Sequence, residues 1–75
     1  MPRISAVQSK MARAALGWGV RDLARAAKAS ADTISRLERG ETLKERTLDA
    51  IRAALEAAGV EFLPDNGVRL IQRRC

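Results

Sequence analysis

The sequence predicts a mainly α-helical bundle of about four helices with a C-terminal β-hairpin, and three observations predict it. Alanine fills 14 of the 75 positions, and alanine both favours helix and lets helices approach closely. Cap and stop residues punctuate the chain at the spacing of short helices: Ser5, Gly17, Ser30, Gly40 and Gly59. After Gly59 the texture changes, with β-formers in VEFL (60–63) and VRLI (68–71) on either side of Pro64-Asp65-Asn66-Gly67. The whole chain, 1–75, reads as one domain with a helical core at 5–58, a hairpin at 60–71 and a frayed polar tail at 72–75. A domain of this size buries only about 60% of its unfolded surface, so association with a second copy would help its lean core.

Pro2 and Arg3 form a short arm, and Ser5 is placed to cap a first helix running to about Leu16. Val7, Met11 and Ala14 share one face of it at i, i+4, i+7 spacing and are the expected inward set. Gly17 and Gly19 bracket Trp18, a core filler by its size, and end that helix. A second helix spans Val20 to Ala27 with Leu23, Ala24 and Ala27 inward. Ser30 caps a third from Ala31 to Arg39, which Gly40 stops.

Thr42 and Glu45 have capping-box spacing, which would start a fourth helix at Leu43, although a start nearer Arg46 also fits. That helix presents Leu48, Ile51, Leu55 and Ala58 to the core before Gly59 stops it. Asn66-Gly67 after Pro64-Asp65 supplies residues that tolerate the positive φ angles of a tight turn, hence the hairpin.

Charge is unevenly distributed. Residues 1–39 hold eight Lys/Arg against three Asp/Glu, whereas residues 40–75 hold six of each, so the net +5 belongs to the N-terminal half. A basic excess on one end of a fold suits a nucleic-acid footprint, or simply a soluble basic surface. The one cysteine, Cys75, permits no internal disulfide and points to a reducing, cytoplasmic setting. With no histidine and one cysteine, neither a metal site nor an activated thiol can be assembled. No cofactor motif, Gly-rich phosphate loop, membrane span or signal peptide is present, and the expectation is a non-enzymatic protein.

Function concentrates in residues 20–40. Only Lys28, Ala29 and Ser30 join the second and third helices, with the small Ala24 before the corner and Ile34 and Leu37 after it. A short corner of this kind makes two helices cross steeply and leaves the outer face of the second one exposed. Such a helix can enter a major groove about 12 Å wide. On that face stand Asp32, Ser35, Arg36 and Arg39. Arg36 can offer a fork of donors to guanine O6 and N7, and Asp32 can accept from a cytosine amino group. A carboxylate in a helix's first turn is also stabilised by the helix dipole, and Asp32 and Arg36 could pair at i, i+4. Arg13, Arg21 and Arg25 could hold phosphates or face water.

The run LARAAKASADTISRLERG, and above all TISRLERG at 33–40, resembles the helix-turn-helix of the Cro/CI-type, lambda-repressor-like DNA-binding family of bacterial and phage regulators. The resemblance covers residues 5–58. It implies a fold of four or five helices, a cytoplasmic protein, and a homodimer acting on double-stranded DNA at a palindromic operator. By position it implies base-edge contacts from Ala31, Asp32 and Arg36, with Thr33 and Ser35 beside them. Arg39 would contact phosphate, and Thr42 would approach the backbone or a base. Val20 departs from the family, which often has glutamine there, and Lys28 stands where glycine commonly takes a left-handed turn. The expected function is a transcriptional regulator, a repressor by preference, with copies joined through an open hairpin edge. The alternative is a protein-binding module, such as an antitoxin or anti-activator, that uses the hairpin on a protein partner.

Overall fold

Ser5 starts the chain's first helix with a reciprocal cap. Its hydroxyl accepts the Gln8 N–H at 3.1 Å, and the Gln8 side chain accepts the Ser5 N–H at 3.1 Å. The computed structural model describes residues 4–71; the Pro2-Arg3 arm, the 72–75 tail and Cys75 lie outside the described residues. The elements are α1 (Ala6–Leu16), α2 (Val20–Ala27), α3 (Ala31–Glu38), α4 (Glu45–Ala57), β1 (Val60–Phe62) and β2 (Val68–Leu70). The mainly helical bundle with a terminal hairpin is therefore the fold.

Leu23, Ile34, Ile51 and Leu55 are wholly buried at the centre, with Ala12, Ala24, Leu37 and Leu48 around them. Each large apolar side chain withdrawn in this way contributes about 1.5–3 kcal/mol. Trp18 packs half-buried against this cluster, as a filler should.

The face of α1 differs from the sequence expectation. Val7 is 53% exposed, Ala14 is exposed and Met11 is only half-buried, while Gln8, Ser9 and Ala12 point inward. Two polar residues take the inward positions because each finds partners there. The Gln8 Nε2 donates to the carbonyls of Gly67 at 3.2 Å and Leu63 at 3.4 Å, and the Ser9 hydroxyl donates to Glu38 at 2.7 Å. No buried side-chain nitrogen or oxygen lacks a partner among the described residues.

The start of α4 also departs from the capping-box expectation. Lys44 is the cap residue, without a side-chain cap bond, and Glu45 is the first helical residue rather than the third. Thr42 lies in an irregular link, residues 41–44, two positions before the residue that caps the helix. At the other end Gly59 adopts φ 109, and a Cβ there would sit 3.0 Å from the Ile71 carbonyl. Only glycine fits both conditions.

The hairpin pairs Val60 with Leu70, Glu61 with Arg69 and Phe62 with Val68, antiparallel. Glu61 and Arg69 form an ion pair across this ladder. Of the turn residues expected to take positive φ, Asn66 does so at 61 and Gly67 does not. The turn is correspondingly wider, closed by Leu63 N–H to Gly67 carbonyl at 2.9 Å. The hairpin packs β2 on α1 and β1 on α4, where the Arg52 guanidinium lies 5.5 Å from the centre of the Phe62 ring.

Candidate nucleic-acid interface

The corner between α2 and α3 is three residues long, Lys28-Ala29-Ser30, and its geometry follows from those residues. Lys28 takes the left-handed conformation, φ 58, which lets the Ala29 N–H turn back to the Ala24 carbonyl at 2.8 Å. Ser30 then restarts the chain as a helix by accepting the Thr33 N–H at 3.1 Å. Ala24 is buried on α2, which packs on both α3 and α4, and Ile34 and Leu37 are buried on α3. The opposite side of α3, with Asp32 and Arg36, remains exposed to solvent, and Arg39 extends it just past the helix end.

A second backbone motif shapes the far end of α3. The helix closes at Glu38, one residue short of the expected end, with Arg39 as its cap and Gly40 left-handed at φ 93. The Gly40 N–H reaches the Leu37 carbonyl at 2.9 Å, and the Glu41 N–H reaches back to the Arg36 carbonyl at 3.0 Å. Glu41 is thereby folded over the last turn. Its carboxylate takes Arg36 Nε at 2.9 Å on one oxygen and Arg39 Nη2 at 3.1 Å on the other. The pairing open to Arg36 from sequence alone was with Asp32. The structure corrects this: the ion-pair partner of Arg36 is Glu41. Bonding to Glu41 raises the Arg36 guanidinium above its usual value, and Arg36 and then Arg39 hold the Glu41 carboxyl below its own.

Beneath that surface, Arg13 of α1 reaches Glu38 of α3 through two bonds, Nε to Oε2 at 2.8 Å and Nη2 to Oε1 at 2.7 Å. Its remaining nitrogen, Nη1, donates to the Trp18 carbonyl at 3.1 Å. Arg13, which from sequence could hold phosphate or face water, is engaged within the chain, where it neutralises a carboxylate whose side chain is 8% exposed. Burial alone would push the Glu38 carboxyl up, but the bonds from Arg13 and Ser9 outweigh it and leave it below its usual range.

A family model described as a helix-turn-helix domain matches residues 8–63. The chain belongs to this helix-turn-helix family. The match agrees with the Cro/CI-type resemblance and supports DNA binding. Comparison with curated proteins and with solved structures gives no match.

Within the helix-turn-helix domain, α2 and α3 are the paired helices. Of the residues singled out from sequence, Asp32, Arg36, Arg39 and Thr42 are exposed, and Ala31, Thr33 and Ser35 are half-buried along the same helix. The Thr33 hydroxyl lies 2.8 Å from that of Ser30, within the helix cap. Ala31 packs partly against the core. Arg21 and Arg25 are exposed on α2. Among the described residues no cluster of three or more metal-ligating side chains forms, and no helix is long and apolar enough to cross a membrane.

Sequence reading missed Glu41 and the Arg13–Glu38 pair. Glu41 follows Arg36 by five residues, outside helical spacing, and only the left-handed Gly40 returns it to the helix.

Proposed function

We propose that this helix-turn-helix domain is a sequence-specific transcriptional regulator, acting as a repressor on a palindromic operator. In this reading α3 enters the major groove with Ala31, Asp32, Thr33, Ser35 and Arg36 toward the base edges. Arg39 contacts phosphate, and Thr42 meets the backbone from the following link. The observation that carries the reading is the split of α3 into two faces: Ile34 and Leu37 are buried, while Asp32 and Arg36 on the far side stay clear of the hairpin, which packs on α1 and α4.

The basic N-terminal half would supply phosphate contacts, with Arg21 and Arg25 of α2 as candidates. Two copies would read half-sites about 34 Å apart. The hairpin supports a way of joining them, since a two-stranded sheet leaves an outer edge on each strand.

The test is selection of bound fragments from a randomised duplex pool, followed by affinity against salt. A regulator of this kind recovers a palindrome, and its log–log salt slope falls by about 0.9 for each phosphate contacted. Recovery of no sequence, with flat salt dependence, refutes the reading. Sedimentation with and without the recovered duplex checks the dimer; a monomer throughout refutes that part.

A further inference from the structure

We propose that Glu41 is a positioning residue for Arg36 and sets the contrast between specific and non-specific DNA binding. The proposal rests on the regulator reading above. Glu41 is folded over the end of α3 by the left-handed Gly40 and by its own N–H bond to the Arg36 carbonyl at 3.0 Å. From there its Oε1 holds the inner nitrogen of Arg36, Nε, at 2.9 Å. The two outer nitrogens of Arg36 have no hydrogen-bond partner among the described residues. Those two are the end-on fork that matches guanine O6 and N7.

Holding Nε does two things. A long, exposed side chain with many rotamers is restrained before DNA arrives, so less freedom is lost on binding a base. The carboxylate also discriminates between acceptors. A guanine edge is neutral, so Arg36 can bind it while still paired with Glu41. A phosphate is anionic, and Glu41 repels it from Arg36, whose Nε it holds at 2.9 Å. Non-specific binding is chiefly phosphate binding, so Glu41 suppresses it selectively.

The experiment compares the wild-type chain, Glu41→Gln, Arg36→Ala and the double variant. Each is titrated by fluorescence anisotropy against the duplex that wild-type selects from a randomised pool and against the pool itself. Glutamine keeps the size and removes the charge, and the helix stop uses only the main chain of Glu41, so the fold is retained. Glu41→Gln should bind the random pool about fivefold more tightly at 0.15 M salt, with a salt slope steeper by about 0.9, as for one freed cation. Its affinity for the selected duplex should gain less, so the specificity ratio falls. Reselection with Glu41→Gln should relax the base preference where Arg36 reads. In the Arg36→Ala background the substitution should leave the ratio unchanged. Equal gains on both duplexes, or no change on either, overturn the role of Glu41. A wild-type chain that selects no sequence overturns the regulator reading itself, which separates the two failures.

Discussion

Arg13 and Glu38, 25 residues apart in the chain, meet in a two-bond ion pair that fastens α1 to the last turn of α3. Every other partner in the cluster serves the same joint. Ser9 donates to one Glu38 oxygen at 2.7 Å, and the Trp18 carbonyl takes the last Arg13 nitrogen at 3.1 Å. The helix proposed to read DNA is thus held by apolar packing on one side and by a charged fastening at its end.

Arg13→Ala should cost about 2–4 kcal/mol of stability, because it strands a carboxylate that is 8% exposed. The range sits below that of a fully buried pair, since Arg13 itself is 20% exposed. Thermal unfolding should fall by about 4–8 °C per kcal/mol in a domain of this size. The double change Arg13→Met with Glu38→Leu should be milder than either single change. Strictly additive losses would contradict coupling between the two.

The same pair sets a pH dependence. The folded Glu38 carboxyl lies below its ordinary value of 4.5, so the unfolded chain takes up the proton more readily. Its stabilising effect is complete above that ordinary value and is lost as pH falls through the lower folded value. Urea midpoints should therefore drop as pH falls below the ordinary carboxyl value of 4.5, and Glu38→Gln should flatten this drop. Glu41 is shifted the same way but is exposed, so its share is small and screened by salt. An undiminished acid transition in Glu38→Gln would remove Glu38 as its origin.

Lys28→Gly should stabilise the domain by about 0.5–1 kcal/mol. Lys28 holds φ 58, a conformation that a Cβ disfavours and glycine does not. Melting should rise by several degrees, about 4–8 °C per kcal/mol, with DNA affinity altered only by the lost charge. A lower melting temperature would mean that the lysine side chain contributes packing that outweighs the backbone gain.

Gln8→Glu should loosen the hairpin without unfolding the bundle. Glutamate cannot donate to the Gly67 and Leu63 carbonyls that Gln8 now bonds, and its charge would stand at a position only 6% exposed. A loss of about 1–3 kcal/mol follows from the Leu63 carbonyl left without its donor, since the Gly67 carbonyl still accepts from the Leu63 N–H. Amide exchange at Leu63, whose N–H closes the turn on Gly67, should quicken more than at Ile51 in the core. Uniform quickening at both would show that the hairpin and bundle open together.

Where local chemistry decided an element, the sequence was sufficient. Ser5, Ser30, Gly40 and Gly59 marked helix ends because each acts on backbone within a turn of itself. The corner at Lys28-Ala29-Ser30 and the buried Ile34 and Leu37 were legible for the same reason. The inward face of α1 was not, because it is filled by Gln8 and Ser9, whose partners lie 29 to 59 residues away. Spacing rules see apolar periodicity and therefore chose Val7. The capping-box pattern at Thr42 and Glu45 was a true pattern without the backbone to use it, since the link after Gly40 stays irregular until Lys44 caps the helix. At the candidate site, the exposed residues of α3 could be listed from sequence. Their tie to Glu41 could not, because it depends on a left-handed turn that reverses the chain.

The central claim is that the outer face of α3 reads duplex DNA through Arg36. Its most direct test is the preference of the wild-type chain and of Arg36→Ala for the selected duplex over one with the guanine read by Arg36 replaced. The wild-type chain should discriminate by about 10- to 100-fold, and Arg36→Ala should bind the two duplexes equally. Equal discrimination by both proteins would contradict the claim.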